Sequence, residues 1–187
     1  MNILHGLTGS VATKIAGKFG DSYRELGFES RVVSTFYADR FDAELWKFDE
    51  RFIDSDEWLI YGGDRKVLHI DLAKWADALV IAPLSANTLA KLANGLCDNL
   101  LTCVARAWDF NKPFVVAPAM NTKMWNHPIT KNHIDKIKEW GVKVISPVEK
   151  KLFCGDVGIG AMEDVEKITN ELKKTLDSAV LTSKLPA

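Results

Sequence analysis

The amino-acid sequence predicts a single-domain, doubly wound α/β fold, a parallel sheet with helices on both faces. Short apolar runs such as Ala78–Pro83 and Phe114–Pro118 each end at a proline, and their length is that of buried parallel strands. Stretches of helical periodicity lie between such runs. Strands that alternate with helices form parallel sheets with right-handed crossovers. At 187 residues the chain is long enough to bury a substantial core within one domain.

Five strands are predicted, each from a short apolar or β-branched run followed by helix- or turn-forming residues. In chain order they are Ile3–Thr8, Ser30–Thr35, Ala78–Pro83, Phe114–Pro118 and Val142–Ser146. Residues 67–70 are expected to run extended into a short helix at Asp71–Ala76, which delivers the chain to the third strand. Alternating strands and helices in this order are typical of Rossmann- or flavodoxin-like sheets.

Apolar residues at helical spacing predict the helices. The helix after the first strand has inward positions at Ala12, Ile15, Ala16 and Phe19. Two apolar stripes follow the third strand, at Leu89, Leu92, Ala93 and Leu96, and at Leu101, Val104, Ala105 and Trp108. A helix from Pro128 to Trp140 is closed by Gly141, and the last helix is expected over Glu163–Leu176.

Two segments do not have a clear period. Residues 36–60 are aromatic and acidic, and both a partly helical excursion and a partner surface fit this composition. Glu149–Met162 contains three glycines and is expected to be a loop. The domain is predicted to span residues 1–177, and the tail over residues 178–187 is expected to be frayed.

Composition argues against several classes of partner. The formal net charge is −1, from 24 basic and 25 acidic residues, so neither nucleic acid nor an anionic membrane is indicated. No apolar run approaches the roughly 20 residues of a membrane span. Three cysteines without disulfide-like spacing suit a reducing cytoplasm, and Cys97 and Cys103 are expected to act as small core residues. His127 and His133 are poorly spaced for a metal, so no metal site is predicted.

Polar residues follow several of the predicted strands directly. Ser34 and Thr35 end the second strand, and Ser85–Thr88 and Ala119–Thr122 follow the third and fourth. The carboxyl ends of parallel strands meet at one edge, where ligands bind in open α/β sheets. Gly9 and Ser10 after the first strand suit a phosphate, although a tight turn with a capping serine explains them equally well.

Four motifs resemble those of the homo-oligomeric flavin-containing cysteine decarboxylases. Two resemble that family's signatures, Pro83-Leu-Ser-Ala-Asn-Thr88 and Pro118-Ala-Met-Asn-Thr-Lys-Met-Trp125. Val67-Leu-His-Ile-Asp-Leu72 with Trp75-Ala-Asp77 is similar to its histidine motif, and Lys151–Met162 to its substrate-clamp segment. The motifs stand in the family's order, which makes coincidence improbable.

The resemblance implies an FMN-dependent homotrimer that decarboxylates 4′-phosphopantothenoylcysteine to 4′-phosphopantetheine in coenzyme A biosynthesis. It implies FMN contacts at Gly9, Ser10, Val11, Ser34, Thr35, Phe36, Ser85, Ala86, Asn87, Thr88 and Ala119. Substrate contacts are implied at Asn121, Met124, Lys151, Leu152, Phe153 and Ala161. His69 and Cys154 are the implied catalytic pair.

The expected chemistry gives these residue types a purpose. A cysteine carboxyl lacks an electron sink until flavin oxidises Cβ to a thioaldehyde, after which carbon dioxide loss leaves an ene-thiolate. An imidazole such as that of His69 can take the thiol proton. From its position alone a structural histidine is the simpler interpretation, and the histidine motif reverses that preference. Cys154 follows two lysines in a glycine-rich segment, which favours proton return by its thiol, but a functionless loop cysteine also fits. Asn121 can both donate and accept hydrogen bonds, or merely form a turn.

Other functions share parts of this pattern. A peptidyl-cysteine decarboxylase or a flavin prenyltransferase would keep the fold and the flavin but use another substrate. A phosphatase-regulating subunit is a non-catalytic alternative, although the acidic extensions typical of such relatives are absent from this sequence. A flavodoxin-like electron carrier would need neither His69 nor Cys154.

Overall fold

A computed structural model describes residues 1–41, 43–59, 67–151 and 155–183. Within them the main sheet consists of β1 (Asn2–Leu7), β2 (Glu29–Ser34), β3 (Glu50–Ile53), β4 (Ala78–Leu84), β5 (Phe114–Pro118) and β6 (Lys143–Val144). A separate antiparallel pair is formed by β7 (Val148–Lys151) and β8 (Val157–Ala161). The α-helices are α1 (Gly17–Glu25), α2 (Asp54–Leu59), α3 (Leu68–Trp75), α4 (Ala86–Asn94), α5 (Leu100–Arg106), α6 (Thr122–Trp125), α7 (Pro128–Glu139) and α8 (Val165–Ser183). Short 3₁₀ segments lie at Val11–Ile15, Ala38–Arg40 and Leu45–Lys47.

The sheet has the strand order β3-β2-β1-β4-β5-β6, and all of its paired strands are parallel. The chain leaves β1 in one direction along the sheet and returns to its other side at β4, so the order reverses between these two strands. Such a switch point opens a crevice at the carboxyl ends, because the connections on either side diverge. The predicted doubly wound α/β fold is confirmed.

Apolar layers cover both faces of the sheet. All seven residues of β4 are buried, as expected for a central parallel strand. Leu79 and Ile81 face the layer that contains α3, α4, α5 and α7, whereas Ala78 and Val80 face the layer with α1 and α8. Each fully buried Leu or Ile side chain contributes about 1.5–3 kcal/mol, so these two layers supply most of the driving force for folding.

His5 is a fully buried polar group in the middle of β1. Its Nε2 is 2.7 Å from the carbonyl oxygen of Ala82, and its Nδ1 is 2.8 Å from the hydroxyl of Tyr23. The ring therefore donates through Nε2 to the carbonyl and accepts the tyrosine proton at Nδ1. Burial lowers the pKa of His5 to about 4, against a smaller opposing effect of the Ala82 carbonyl.

The main departure from the predicted sheet is β3. Residues 36–60 were expected to be a partly helical excursion or a partner surface. Within 36–41 and 43–59 the structure does contain the short helix α2, but it also contributes a sixth parallel strand, β3, at the edge of the sheet. None of the four residues of β3 is fully buried. An edge strand that is half exposed lacks the apolar run by which the other strands are recognised.

Several local predictions were also wrong. Residues 149–162 are not a loop throughout, since β7 and β8 pair there. Helix α3 begins at Leu68, so residues 68–70 are helical rather than extended. Leu96 is 55% exposed, because Gly95 ends α4 in a left-handed conformation with φ of 70° and breaks the stripe. Ile15 is exposed because the first segment is a 3₁₀ helix, whose period is three residues.

Two further details concern the cysteines and the end of the chain. Cys97 is exposed and Cys103 is half-buried, so neither is the core residue that was predicted. The last helix, α8, continues beyond the expected domain boundary to Ser183, and residues 184–187 lie outside the described ranges.

Candidate active site

A cleft of about 820 Å³ opens at the carboxyl ends of β1, β2, β4 and β5. Ligand sites typically have volumes of about 300–1,000 Å³. The structure brings most of the predicted site residues into its lining: Gly9, Ser10, Val11, Thr35, Phe36, Ser85, Ala86, Asn87, Thr88, Ala119, Asn121, Met124, Lys151 and Ala161. They come from loops that are distant in sequence and converge because parallel strands end at one edge.

Thr8, which the sequence analysis did not single out, joins two sides of the cleft. Its fully buried hydroxyl donates to the carbonyl of Pro83 and accepts the backbone N–H of Ser85, both at 2.8 Å. Its own carbonyl accepts the N–H of Ser10 at 2.7 Å and the hydroxyl of Thr13 at 2.8 Å. This residue therefore fixes the Gly9–Ser10 turn relative to the start of α4.

Hydrogen-bond donors face the cleft from the start of α4. The Ser85 hydroxyl caps this nine-residue helix by accepting the N–H of Thr88 at 3.3 Å. The N–H groups of Ala86 and Asn87 belong to the first turn, where no intrahelical acceptor is available. They and the helix dipole favour an anionic or carbonyl oxygen at this position.

Apolar side chains also contribute to the lining of the cleft. Val11, Ile15, Phe36 and Met124 line it, and between 38% and 58% of each residue's surface is exposed. Large apolar groups that are exposed together usually mark a binding surface. A flat, partly apolar ring system with polar edges suits a cleft whose lining combines such side chains with the donors at the start of α4.

Asp54, at the start of α2, is a second cleft residue that the sequence analysis missed. Its Oδ1 accepts the backbone N–H of Leu100 at 3.0 Å, and the Phe36 backbone also hydrogen-bonds to it. Burial raises the pKa of Asp54 above its ordinary value, and these backbone hydrogen bonds oppose the shift. The carboxyl group ties α2 and α5 to the Phe36 loop.

The β7–β8 pair is attached to the loop after β5 by the main chain. The N–H of Met120 donates to the carbonyl of Gly160 at 2.9 Å. Gly160 has φ of 144°, and a Cβ added there would lie 2.3 Å from the Met120 oxygen. Only glycine permits this approach. The contact places Ala161 beside the loop that carries Asn121, whose Oδ1 accepts the N–H of Lys123 at 2.8 Å.

The two lysines of β7 differ in their surroundings. Lys150 Nζ lies 2.5 Å from Asp164 Oδ1 and lowers the pKa of that carboxyl group. Lys151 makes no ion pair within the described residues, and it lines the cleft. Of the two, Lys151 is therefore the cation available to an anionic ligand.

Two predicted residues lie outside the cleft lining, and three lie outside the described residues. Ser34 is buried, and its hydroxyl donates to Asp39 Oδ1 at 2.9 Å rather than facing the cleft. His69, in the first turn of α3, is not among the described residues that line it. Leu152, Phe153 and Cys154 lie outside the described residues.

His69 is held by Glu57 of α2, a residue that the sequence did not indicate. The two oxygens of the Glu57 carboxylate lie 2.6 Å from Nδ1 and 3.1 Å from the backbone nitrogen of His69. The Glu57 side chain is 8% exposed, and that of His69 is 23% exposed. The imidazole thus retains access to solvent while its carboxylate partner is buried.

No group of three or more His, Cys, Asp or Glu side chains in the described residues is placed to hold a metal ion. None of the helices in these ranges combines the length and the hydrophobicity needed to cross a membrane.

Comparison with known proteins identifies the family. Residues 1–177 match the model of the Flavoprotein family, and the chain belongs to that family. The sequence is 49% identical over 187 residues to phosphopantothenoylcysteine decarboxylase HAL3 of Malus domestica, covering 97% of this chain and 86% of the relative. It is 46% identical over 176 residues to phosphopantothenoylcysteine decarboxylase of Mus musculus, covering 93% and 86% of the two chains.

Solved structures agree with this assignment. A PPC decarboxylase mutant complexed with pantothenoylaminoethenethiol superposes with a TM-score of 0.89 at 43% identity, over 94% of this chain and 98% of the other. The FMN binding protein AtHal3 superposes with a TM-score of 0.86 at 44% identity, over 95% and 97% of the two chains. The resemblance inferred from the four motifs is confirmed.

Proposed function

We propose that this protein uses FMN to decarboxylate 4′-phosphopantothenoylcysteine to 4′-phosphopantetheine, a step of coenzyme A biosynthesis. The observation that carries the proposal is the cleft at the switch point, where residues of both signatures and of the clamp segment meet. Relatives that align over most of the chain are named for this activity. One similar structure contains pantothenoylaminoethenethiol, whose name describes an ene-thiol of the pantothenoyl series.

The cleft suits FMN in shape and in chemistry. Val11, Ile15 and Phe36 offer an apolar wall to a ring system, and the Ser10 hydroxyl and the first turn of α4 offer donors to its polar atoms. Bound FMN supplies a two-electron acceptor for the cysteine side chain and returns those electrons after carbon dioxide has left.

The protein's own residues bind the substrate and move protons. Asn121 presents an amide to the substrate carboxylate, and Lys151 attracts its phosphate as a point charge. His69 takes the thiol proton, and Cys154 returns a proton to carbon after decarboxylation. Met124 and Ala161 shape the substrate side of the cleft.

The active assembly is a homotrimer in which neighbouring copies share each site. His69 does not line the cleft of its own chain within the described residues, although the reaction needs an imidazole near the substrate thiol. Phe36, Tyr37 and Trp58, at or just beyond this edge, are 58%, 67% and 73% exposed, so a second copy could cover them. Light scattering of the purified protein would give the number of copies, and a monomer that retains turnover would contradict the shared site.

The cytoplasm is the proposed location. Cys97 and Cys103 are free thiols, which suits a reducing compartment. Fractionation of cells that express the tagged protein, followed by immunodetection, tests this, and recovery in an oxidising compartment would contradict it.

One assay tests the proposed function against its rivals. The FMN-loaded protein is incubated with 4′-phosphopantothenoylcysteine, and carbon dioxide and product are measured by mass spectrometry. The serine analogue of the substrate is the matched control, since it cannot form a thioaldehyde and should release no carbon dioxide. A cysteine-terminated peptide and a phosphatase-inhibition assay test the alternative functions. Folded protein that is colourless and does not bind added FMN would contradict the proposal.

A further inference from the structure

We propose that Glu57 is a positioning residue that holds the His69 imidazole in the tautomer protonated on Nδ1, with Nε2 left as the proton acceptor. The proposal rests on the proposed function, in which His69 takes the thiol proton. Glu57 does not line the cleft, and both of its hydrogen bonds within the described residues go to His69.

The carboxylate makes two contacts with the same residue. Oε1 lies 2.6 Å from Nδ1 of His69, and Oε2 lies 3.1 Å from its backbone nitrogen. The backbone N–H can only donate, and it belongs to the first turn of α3, where no intrahelical acceptor exists. A carboxylate that accepts from this N–H fixes its own plane, and its second oxygen then faces Nδ1.

The facing oxygen decides where the ring proton lies. An ionised carboxylate has no proton to donate, so Nδ1 must carry the proton for a hydrogen bond to form. In a neutral ring Nε2 is then unprotonated. The same arrangement orients the histidine in hydrolases with a Ser-His-Asp triad, where the carboxylate fixes the tautomer.

The Glu57 carboxylate lies in buried surroundings. Its side chain is 8% exposed, and it lies one turn after Asp54, whose carboxyl group binds the N–H of Leu100. The nearby thiol of Cys103 has its pKa raised to about 11, by burial first and then by Cys97 and Glu57, so it is neutral at physiological pH. A neutral thiol does not compete with His69 for the carboxylate as a cation would.

The first experiment observes the tautomer directly. Long-range ¹H–¹⁵N correlation spectra of the FMN-loaded, histidine-labelled protein distinguish Nδ1–H from Nε2–H rings. The chain has four histidines, and the signal missing from His69→Asn identifies the ring of interest. We expect an Nδ1–H ring in the wild type, and an Nε2–H ring there would overturn the proposal whatever reaction the protein catalyses.

The second experiment replaces Glu57, the hydrogen-bond partner of the His69 imidazole. In Glu57→Gln the single amide oxygen can satisfy the backbone N–H, so the NH₂ group faces Nδ1 and should shift the ring to the Nε2–H tautomer. Glu139→Gln, the same substitution at an exposed position of α7 outside the four motifs, is the charge-matched control. We expect kcat of Glu57→Gln to fall by between about tenfold and about 10⁴-fold, the upper figure being the cost of the wrong tautomer in a Ser-His-Asp triad.

FMN content and KM should remain near wild type in Glu57→Gln, since Glu57 does not line the cleft, and Glu139→Gln should behave as the wild type. An Nδ1–H ring or a wild-type kcat in Glu57→Gln would overturn the proposal. If the variant does not fold, the wild-type spectrum still tests the tautomer. If the wild type lacks decarboxylase activity, the proposed function fails while the spectra still decide the role of Glu57.

Discussion

The hydroxyl of Thr8 accepts the backbone N–H of Ser85 at 2.8 Å, across 77 positions of the sequence. The same hydroxyl donates to the Pro83 carbonyl, so a single side chain joins the ends of β1 and β4. These strands flank the point where the strand order reverses, and the turns that follow them supply neighbouring parts of the cleft lining. The geometry of the cleft therefore depends on one buried threonine.

Replacing Thr8 with valine should loosen the cleft. The change preserves shape but leaves the Ser85 N–H and the Pro83 carbonyl without their partner, and we expect a loss of about 1–3 kcal/mol in the free energy of unfolding. FMN should also dissociate faster, as measured by flavin fluorescence on dilution. Thr169→Val is the control, because that buried hydroxyl bonds only within α8. Equal effects of the two changes would contradict the proposed link.

Replacing Gly160 with alanine should displace β8 from the loop after β5. The new Cβ would lie 2.3 Å from the Met120 carbonyl oxygen, so the hydrogen bond between the two backbones must break. We expect kcat/KM to fall while FMN remains bound, as measured by steady-state kinetics and flavin absorbance. Gly27→Ala isolates backbone strain, since its φ is 69° and no atom lies within 4 Å of the added Cβ. Unchanged kinetics in Gly160→Ala would show that the contact does not position the substrate side.

The stability of the protein should fall in mild acid because of His5. The pKa of His5 is about 4 in the folded state and about 6.5 in the unfolded state, so the unfolded chain binds the extra proton between these values. The neutral His5 ring therefore contributes about 3 kcal/mol to the free energy of unfolding. This contribution is complete above pH ~6.5 and is lost as the pH falls towards 4.

Urea unfolding of the FMN-loaded protein at a series of pH values measures this loss. His5→Gln should flatten the dependence between these pH values, whereas the surface change His133→Gln should leave it as in the wild type. If the free energy of unfolding of His5→Gln depends on pH as steeply as that of the wild type, the acid sensitivity arises from other groups.

Mixed assemblies test whether copies share a site. His69→Asn should bind FMN without turning over, and Asn121→Asp should bind substrate poorly because it places a negative charge against a carboxylate. Co-expression of the two variants should restore about a quarter of the sites, since each of the two contributing chains is competent in half of the cases. Complete inactivity of the mixture, with both variants folded and assembled, would place each site within one chain.

Cys154→Ser should separate decarboxylation from the return of electrons. The hydroxyl is a much weaker acid than the thiol, so carbon dioxide should still be released while an ene-thiol accumulates and the flavin stays reduced. Mass spectrometry of the product and flavin absorbance measure the two events, and Cys97→Ser, an exposed change outside the cleft, is the control. Normal 4′-phosphopantetheine from Cys154→Ser would remove this cysteine from the proposed mechanism.

The sequence predicted those features that repeat or that depend on strand direction. Buried runs such as Phe114–Pro118 are apolar because helices cover both faces of the sheet, so composition alone reveals them. The loops after parallel strands must meet, which is why Ser85–Thr88 and Asn121 could be assigned to one site before their distance was known.

Features that depend on a single tertiary contact could not be predicted. Thr8 looks like any strand-end threonine until the Ser85 N–H is seen beside it. Likewise, the Glu57 carboxylate, twelve residues before His69, accepts an N–H in the first turn of α3. No local pattern records such a partner, because the two residues meet only after β3 and α2 have packed.

The edge strand β3 gives the segment around it an unexpected importance. Pairing with β2 fixes the end of β3 at Ile53, and α2 starts at the next residue. The sheet itself therefore sets the location of Glu57. Trimming residues 36–59 as a dispensable surface insertion would remove the support of a histidine whose motif lies elsewhere in the chain. Conversely, Glu57 within this stretch offers protein engineers a route to adjust proton transfer without altering a residue that lines the cleft.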